Sequence, residues 1–259
     1  MLKARILSAL LMAPPALLAV YFGSPFFELM VAIAVGIMAW EWDRLCSGRF
    51  ALPGLIMAVG GIAAATLGGS QPLLGLAAVL AATAGLAALG AMGRLEHAAW
   101  QVAGAPYIGL PVLALVWLRA DIGYQGTFWL LLVVWATDIG AYAAGRSFGG
   151  PLLAPRISPK KTWAGLAGGM VSAAMVGAAT ALVLGGAWLP LAAISGALAV
   201  VAQAGDLAES HAKRHFGVKD ASALIPGHGG LLDRVDGVLA VAPVVALLEL
   251  FVGGLPVWR

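Results

Sequence analysis

A chain of 259 residues that is 61% hydrophobic and only 10% charged, with a mean hydropathy of +0.95, is not a water-soluble globule. Soluble domains carry roughly 45–50% apolar and about 25% charged residues, and a chain this short of charge would expose aggregating apolar patches. The formal charge of +3 is mild, and the single cysteine, Cys46, excludes a disulfide framework and a cysteine-based metal site.

The sequence predicts an all-α polytopic membrane helical bundle of about nine transmembrane helices. Crossing a bilayer takes roughly 20 apolar residues. Such runs lie near Ile6–Phe22, Phe26–Trp42, Leu52–Gly69, Pro72–Met92, Val102–Leu118, Thr127–Gly145, Ala164–Leu184, Trp188–Gln203 and Val235–Gly254. The eighth continues as a helix to about Lys213, and Pro14-Pro15 should kink or break the first. Strands are not expected, because lipid admits only helices or closed barrels and the runs lack barrel alternation. The apolar start after Lys3 and Arg5 has the charge pattern of a signal peptide, but its length and the spans behind it favour a retained helix. The whole of 1–259 reads as a single integral membrane domain, with N-terminal helices over about 1–100 and the chemistry over about 101–259.

On the nine-span reading every Lys and Arg except Arg119 and Arg259 falls on one side of the membrane. The positive-inside rule then places the N-terminus in the cytosol, and with it the two longest polar connections, Arg146–Trp163 and about Arg214–Asp233. An ionisable residue at mid-helix costs about 2.5–3.5 kcal/mol on insertion scales, so the acids that are not loop residues need a reason. Asp138 lies within the sixth span, sharing a face with Trp135 and Tyr142, and reads as the wall of a polar cavity or as a buried, satisfied acid.

At the end of the eighth helix Asp206, Glu209, Ser210 and Lys213 fall on one stripe. Next come Gly227, His228, Gly229 and Gly230, a turn able to present backbone N–H groups to an anion as phosphate nests do. Asp233 and Asp236 then open the ninth helix on one face. Two acids there would suit the helix dipole, but with two more on the eighth helix they favour a cation, and hard oxygen ligands suit Mg²⁺ better than Zn²⁺. In the other cytosolic connection Ser158, Lys160, Lys161 and Thr162 stand directly before a helix, where phosphate is bound readily. There is no G-x-x-x-x-G-K-[ST], H-E-x-x-H or C-x-x-C. Acids, lysines and a glycine turn without a P-loop indicate phosphoryl or nucleotidyl transfer.

The run Ser210-x-x-Lys213-Arg214, Lys219-Asp220, Pro226-x-His228-Gly229-Gly230-x-x-Asp233-Arg234-x-Asp236 resembles the signature of the phosphatidate cytidylyltransferase (CDP-diacylglycerol synthase) family. Ser158–Trp163 and the Asp138 helix resemble it too, so the likeness covers the second half of the chain; Ala212 departs from it, standing where the family usually has a larger apolar residue. The resemblance implies an enzyme that joins phosphatidic acid to the CMP part of CTP and releases pyrophosphate. It implies Asp206 and Asp233 as principal metal ligands, with Asp236 and Glu209 beside them, for Mg²⁺ and with room for a second cation. It places Lys219, Asp220, His228 and Ser210 in the catalytic set. Ser158, Lys160, Lys161, Thr162, Lys213, Arg214, Arg234 and Asp138 are then the substrate- and phosphate-binding set.

The expected partners are CTP, phosphatidic acid and membrane lipids, with no nucleic acid. The expected location is the bacterial inner membrane, active site on the cytosolic face. The small-residue run Gly165–Gly169 suits close packing within the chain or in a homodimer. Glu28 and Glu249 read as interfacial or packed, and His211 and His215 as solvated. Two rivals remain: a CTP-using enzyme acting on another lipid, such as an isoprenoid lipid, and a transporter. A transporter would place its acids near the midplane of repeated broken helices, and no such repeat is visible.

Overall fold

The computed structural model describes residues 13–225, 227 and 229–252. Pro226, His228, Lys3, Arg5 and Arg259, and residues 6–12 of the first expected span, lie outside them. Nine helices occur among the described residues: α1 (Ala13–Phe22), α2 (Phe26–Ser47), α3 (Leu52–Leu67), α4 (Pro72–Ala91), α5 (Ala98–Asp121), α6 (Gly123–Phe148), α7 (Trp163–Leu184), α8 (Trp188–His215) and α9 (Leu232–Val252). Six of them, α4 to α9, are long and apolar enough to cross a membrane. α3 is shorter at 16 residues. α2 has the length but carries Glu28, Glu41, Asp43 and Arg44.

Helix ends follow the local sequence. Pro53 and Pro72 sit in the first turns of α3 and α4, where a missing N–H costs nothing. Gly48 and Gly185 end α2 and α7 in the left-handed conformation, with φ of 73° and 76°. α8 does run on past the expected span, to His215. The expectation of no strands holds for the spans but not for the loop between α6 and α7. There β1 (Leu152–Ala154) and β2 (Ser158–Thr162) pair antiparallel, Leu152 opposite Thr162 and Ala154 opposite Ser158. A polar loop outside lipid has water for its unpaired edges, so the argument against strands does not reach it.

The chain forms two compact units, Met1–Tyr124 with His215–Val235, and Gln125–Arg214 with Asp236–Arg259. In the first unit α2, α3, α4 and α5 pack on one another at glycines. A Cβ on Gly61 would meet Val35 at 2.7 Å, and one on Gly109 would meet Val79 at 2.7 Å. Trp42 donates its indole N–H to the carbonyl of Trp100 at 2.9 Å. Arg119 reaches the last carbonyls of α1, with Nε to Val20 O at 2.6 Å and Nη2 to Tyr21 O at 3.1 Å. His215 is exposed but not merely solvated: its ring lies 4.9 Å from that of Trp100 and 4.9 Å from that of Phe216.

In the second unit the small-residue run of α7 is used inside the chain. Cβ atoms on Gly165 and Gly169 would meet Ala141 O and Thr137 O of α6, both at 3.0 Å. From the α6 side, a Cβ on Gly140 would come within 2.7 Å of Gly168 O and against Ser172. Trp129 is buried and donates to Ser195 Oγ at 3.0 Å, joining α6 to α8. Large apolar side chains such as Leu73, Val183 and Phe251 remain 79–84% exposed, as lipid-facing residues should. Gly140→Val should therefore separate α6 from α7 and destabilise the protein by about 1–3 kcal/mol, the usual cost of overpacking. Thermal unfolding in detergent checks this, with Gly85→Val, in open space on α4, as the control for ordinary helix-surface substitution.

Candidate active site

The second unit brings together three of the expected acids. One carboxylate oxygen from each of Asp206, Glu209 and Asp236 lies within 4.8 Å of the other two. Asp206 and Glu209 are one helical turn apart on α8, and Asp236 stands near the start of α9. Small residues bring the helices close enough: a Cβ on Gly205 would meet Ala240 Cβ at 2.5 Å and Asp236 O at 2.8 Å. A Cβ on Gly237, in turn, would meet Val134 at 2.9 Å and Ala202 at 3.6 Å. Glycine beside each of these two acids is what lets their carboxylates converge.

Two lysines hold the cluster. Lys161, on β2, pairs with Asp206 at 2.6 Å and lies 3.5 Å from the carbonyl of Gln203. Lys213 pairs with Glu209 at 2.6 Å, and both side chains are buried. Ser210 donates to Asp206 Oδ1 at 3.2 Å, and Asp236 accepts from Gly237 N at 2.8 Å. Asp236 lies in the negative field of Asp206 and, more weakly, of Asp138, opposed by Lys161. Three carboxylates against two ammonium groups leave the cluster with an excess of negative charge. An all-oxygen set of this kind, only partly withdrawn from water, fits a hard divalent cation.

The phosphate-binding expectations divide. Lys160 and Arg214 are exposed, Ser158 is half-buried, and Asp138 is exposed, as are Trp135 and Tyr142. Thr162 is buried and its hydroxyl caps α7, accepting from Gly165 N at 3.0 Å. The buried ammonium of Lys213 serves Glu209.

The first unit contains the other motif residues. Lys219, Asp220 and Arg234 are exposed, while Asp233 is buried. Gly229 has φ of +87° and exchanges two backbone bonds with Ile225, at 2.8 and 3.1 Å. Four N–H groups of the segment serve the protein's own carboxylates. Asp233 Oδ2 accepts from Ala221 N at 2.9 Å and Gly230 N at 2.8 Å. Glu41, fully buried on α2, accepts from Leu231 N and Leu232 N, both at 2.8 Å, and from Ser222 Oγ at 2.6 Å. Of these four donors only Gly230 N belongs to the glycine turn itself.

Glu41, Asp43 and Ser222 are residues that sequence reasoning missed. Asp43, also fully buried, accepts from Ala51 N at 2.7 Å and from Gln101 Nε2 at 3.4 Å. The available signal was two acids two residues apart at the end of an apolar run, where one solvated charge would have sufficed.

The sequence matches the cytidylyltransferase family over residues 3–251. The chain belongs to that family. It is 40% identical to the phosphatidate cytidylyltransferase of Brucella suis, over 96% of this chain and 93% of the relative. It is 36% identical to the protein of that name from Pseudomonas aeruginosa, over 96% and 97%, and 30% identical to that of Rickettsia bellii, over 95% and 89%. The likeness thus extends through the N-terminal helices that sequence reading left generic. The protein is an enzyme, a nucleotidyltransferase. Gly205→Val should push α8 from α9, part Asp206 from Asp236, and raise the Mg²⁺ concentration for half-maximal turnover of the enzyme by about tenfold, equivalent to about 1.4 kcal/mol. A Mg²⁺ titration of initial rates checks this.

Proposed function

We infer that the enzyme transfers the CMP part of CTP to phosphatidic acid, giving CDP-diacylglycerol and pyrophosphate. The observation that carries this reading is the convergence of Asp206, Glu209 and Asp236 with Lys161 and Lys213, in a chain similar along its length to phosphatidate cytidylyltransferases. An oxygen of the lipid phosphate attacks the α-phosphorus of CTP, a new P–O bond forms, and the bond to the β-phosphate oxygen breaks to release pyrophosphate. The nucleophile is already an anion near neutral pH, phosphomonoesters having a second pKa of about 6, so no strong general base is required. The obstacle is repulsion between two anions, which calls for fixed positive charge and alignment.

Asp206, Glu209 and Asp236 would hold Mg²⁺, which would supply charge neutralisation at the phosphates. Lys161 lies at the edge of this cluster, and Lys160 and Arg214 stand exposed nearby in sequence, suited to hold phosphate oxygens. Ser210 orients Asp206, Lys213 fixes Glu209, and Thr162 fixes the start of α7 behind Lys160 and Lys161. The resemblance assigns Lys219, Asp220 and His228 to the catalytic set, Arg234 to substrate binding and Asp233, whose Oδ2 accepts from Ala221 N and Gly230 N, to the metal. A cytosolic N-terminus, nine spans and a site on the cytosolic face of the inner membrane complete the reading. They are supported by the distribution of Lys and Arg and by the cytosolic supply of CTP.

Purified protein given phosphatidic acid, labelled CTP and Mg²⁺ should move label into the lipid phase and release pyrophosphate, and EDTA should abolish both. Labelled product only with another lipid acceptor would overturn the substrate assignment. Asp206→Asn and Asp233→Asn should each lower kcat by about a hundredfold or more, the loss of roughly 2.7 kcal/mol of transition-state stabilisation, while the protein stays folded and membrane-inserted. Rates measured beside size-exclusion profiles check this.

A further inference from the structure

We propose that Glu41 is a positioning residue for cytidylyl transfer: from α2 it supplies the helix cap of α9 and anchors the loop that leads into it. The inference rests on the reading that this loop serves the reaction. The first N–H groups of a helix have no partner within it and need a side-chain oxygen, water or a ligand. α9 begins at Leu232, and the preceding residue, Leu231, has no side-chain oxygen to offer. Glu41 takes the place of that cap, accepting from Leu231 N with Oε1 and from Leu232 N with Oε2, both at 2.8 Å. The same Oε1 accepts from Ser222 Oγ at 2.6 Å, tying the middle of the loop to its end.

The carboxylate is fully buried, and its negative charge faces the positive end of α9. Gly230 is glycine because of it: a Cβ there would lie 2.5 Å from Glu41 Oε1. The anchored segment contains Lys219, Asp220 and Asp233, and α9 carries Asp236 one turn after Asp233. Glu41 touches none of the reacting groups. Its effect on the rate comes through where the loop and the first turn of α9 are held.

Asp43 provides the control. It is a second fully buried acid on the same helix, but its partners, Ala51 and Gln101, belong to the N-terminal helices alone. In Glu41→Gln one acceptor becomes an NH₂ group that cannot serve a backbone N–H. Losing a charged hydrogen bond of about 1.5–3 kcal/mol should lower kcat at least tenfold, with KM for CTP changed less than about threefold. Asp43→Asn should lower the melting temperature to a similar degree and leave kcat and KM within about twofold, the range of an ordinary stability effect. Ser222→Ala, the milder change should Glu41→Gln not fold, should lower kcat by about threefold or more for one hydrogen bond.

Hydrogen–deuterium exchange gives a readout without substrate. The amides of Leu231 and Leu232 should exchange faster in Glu41→Gln (or Ser222→Ala for the folded fallback) than in the wild type, and unchanged in Asp43→Asn. Wild-type kcat in Glu41→Gln or equal rate losses in Glu41→Gln and Asp43→Asn would overturn the proposal, as would unchanged exchange at those amides. If the wild type makes no CDP-diacylglycerol, the reading of the reaction fails by itself, and exchange alone then decides whether Glu41 anchors the loop.

Discussion

Carboxylates withdrawn from water must be met by donors or cations, and that requirement organises both halves of this enzyme. Glu41 and Asp43 are fully buried on one helix, and both are met by backbone N–H groups and polar side chains. In the second unit Glu209 is met by Lys213 and Asp206 by Lys161. Each unit thus confines its costly buried charges to a few places where partners meet them.

Close helix approach is the second condition. In an apolar solvent helices gain little by burying leucine, and contact depends on how near the backbones come. Gly205 lets α8 lie against the turn of α9 that bears Asp236, and Gly230 lets a carboxylate reach the backbone before α9. The glycines that look like generic membrane-helix composition are, at these positions, what sets carboxylate geometry. Those on α7 have a different task, holding α7 against α6.

The chemistry asked of such a site is modest in covalent terms and demanding in electrostatic ones. Two polyanions must meet, so fixed charge has to be in place before they arrive. Two lysines stand against the acids in a protein that is otherwise poor in charge, Lys161 partly exposed and Lys213 buried.

The sequence by itself determined the membrane character, the helices and most of their ends, because apolar run length, proline and glycine act within a few residues. It also determined that Asp206 and Glu209 share a face, and that acids, lysines and glycines cluster as in cytidylyltransferases. Only the tertiary structure decided which carboxylate meets which donor. Glu41 lies 181 and 190 residues before Ser222 and Leu231, and no local periodicity connects them. The sequence shows the N–H groups of Ala221, Gly230, Leu231 and Leu232 but not the carboxylates that accept from them. For Lys213 the spacing from Glu209 was plain in the sequence, and the burial was not. Spacing along one helix is local geometry. Burial and pairing depend on the neighbour that packs there, and that is known only once the chain has folded.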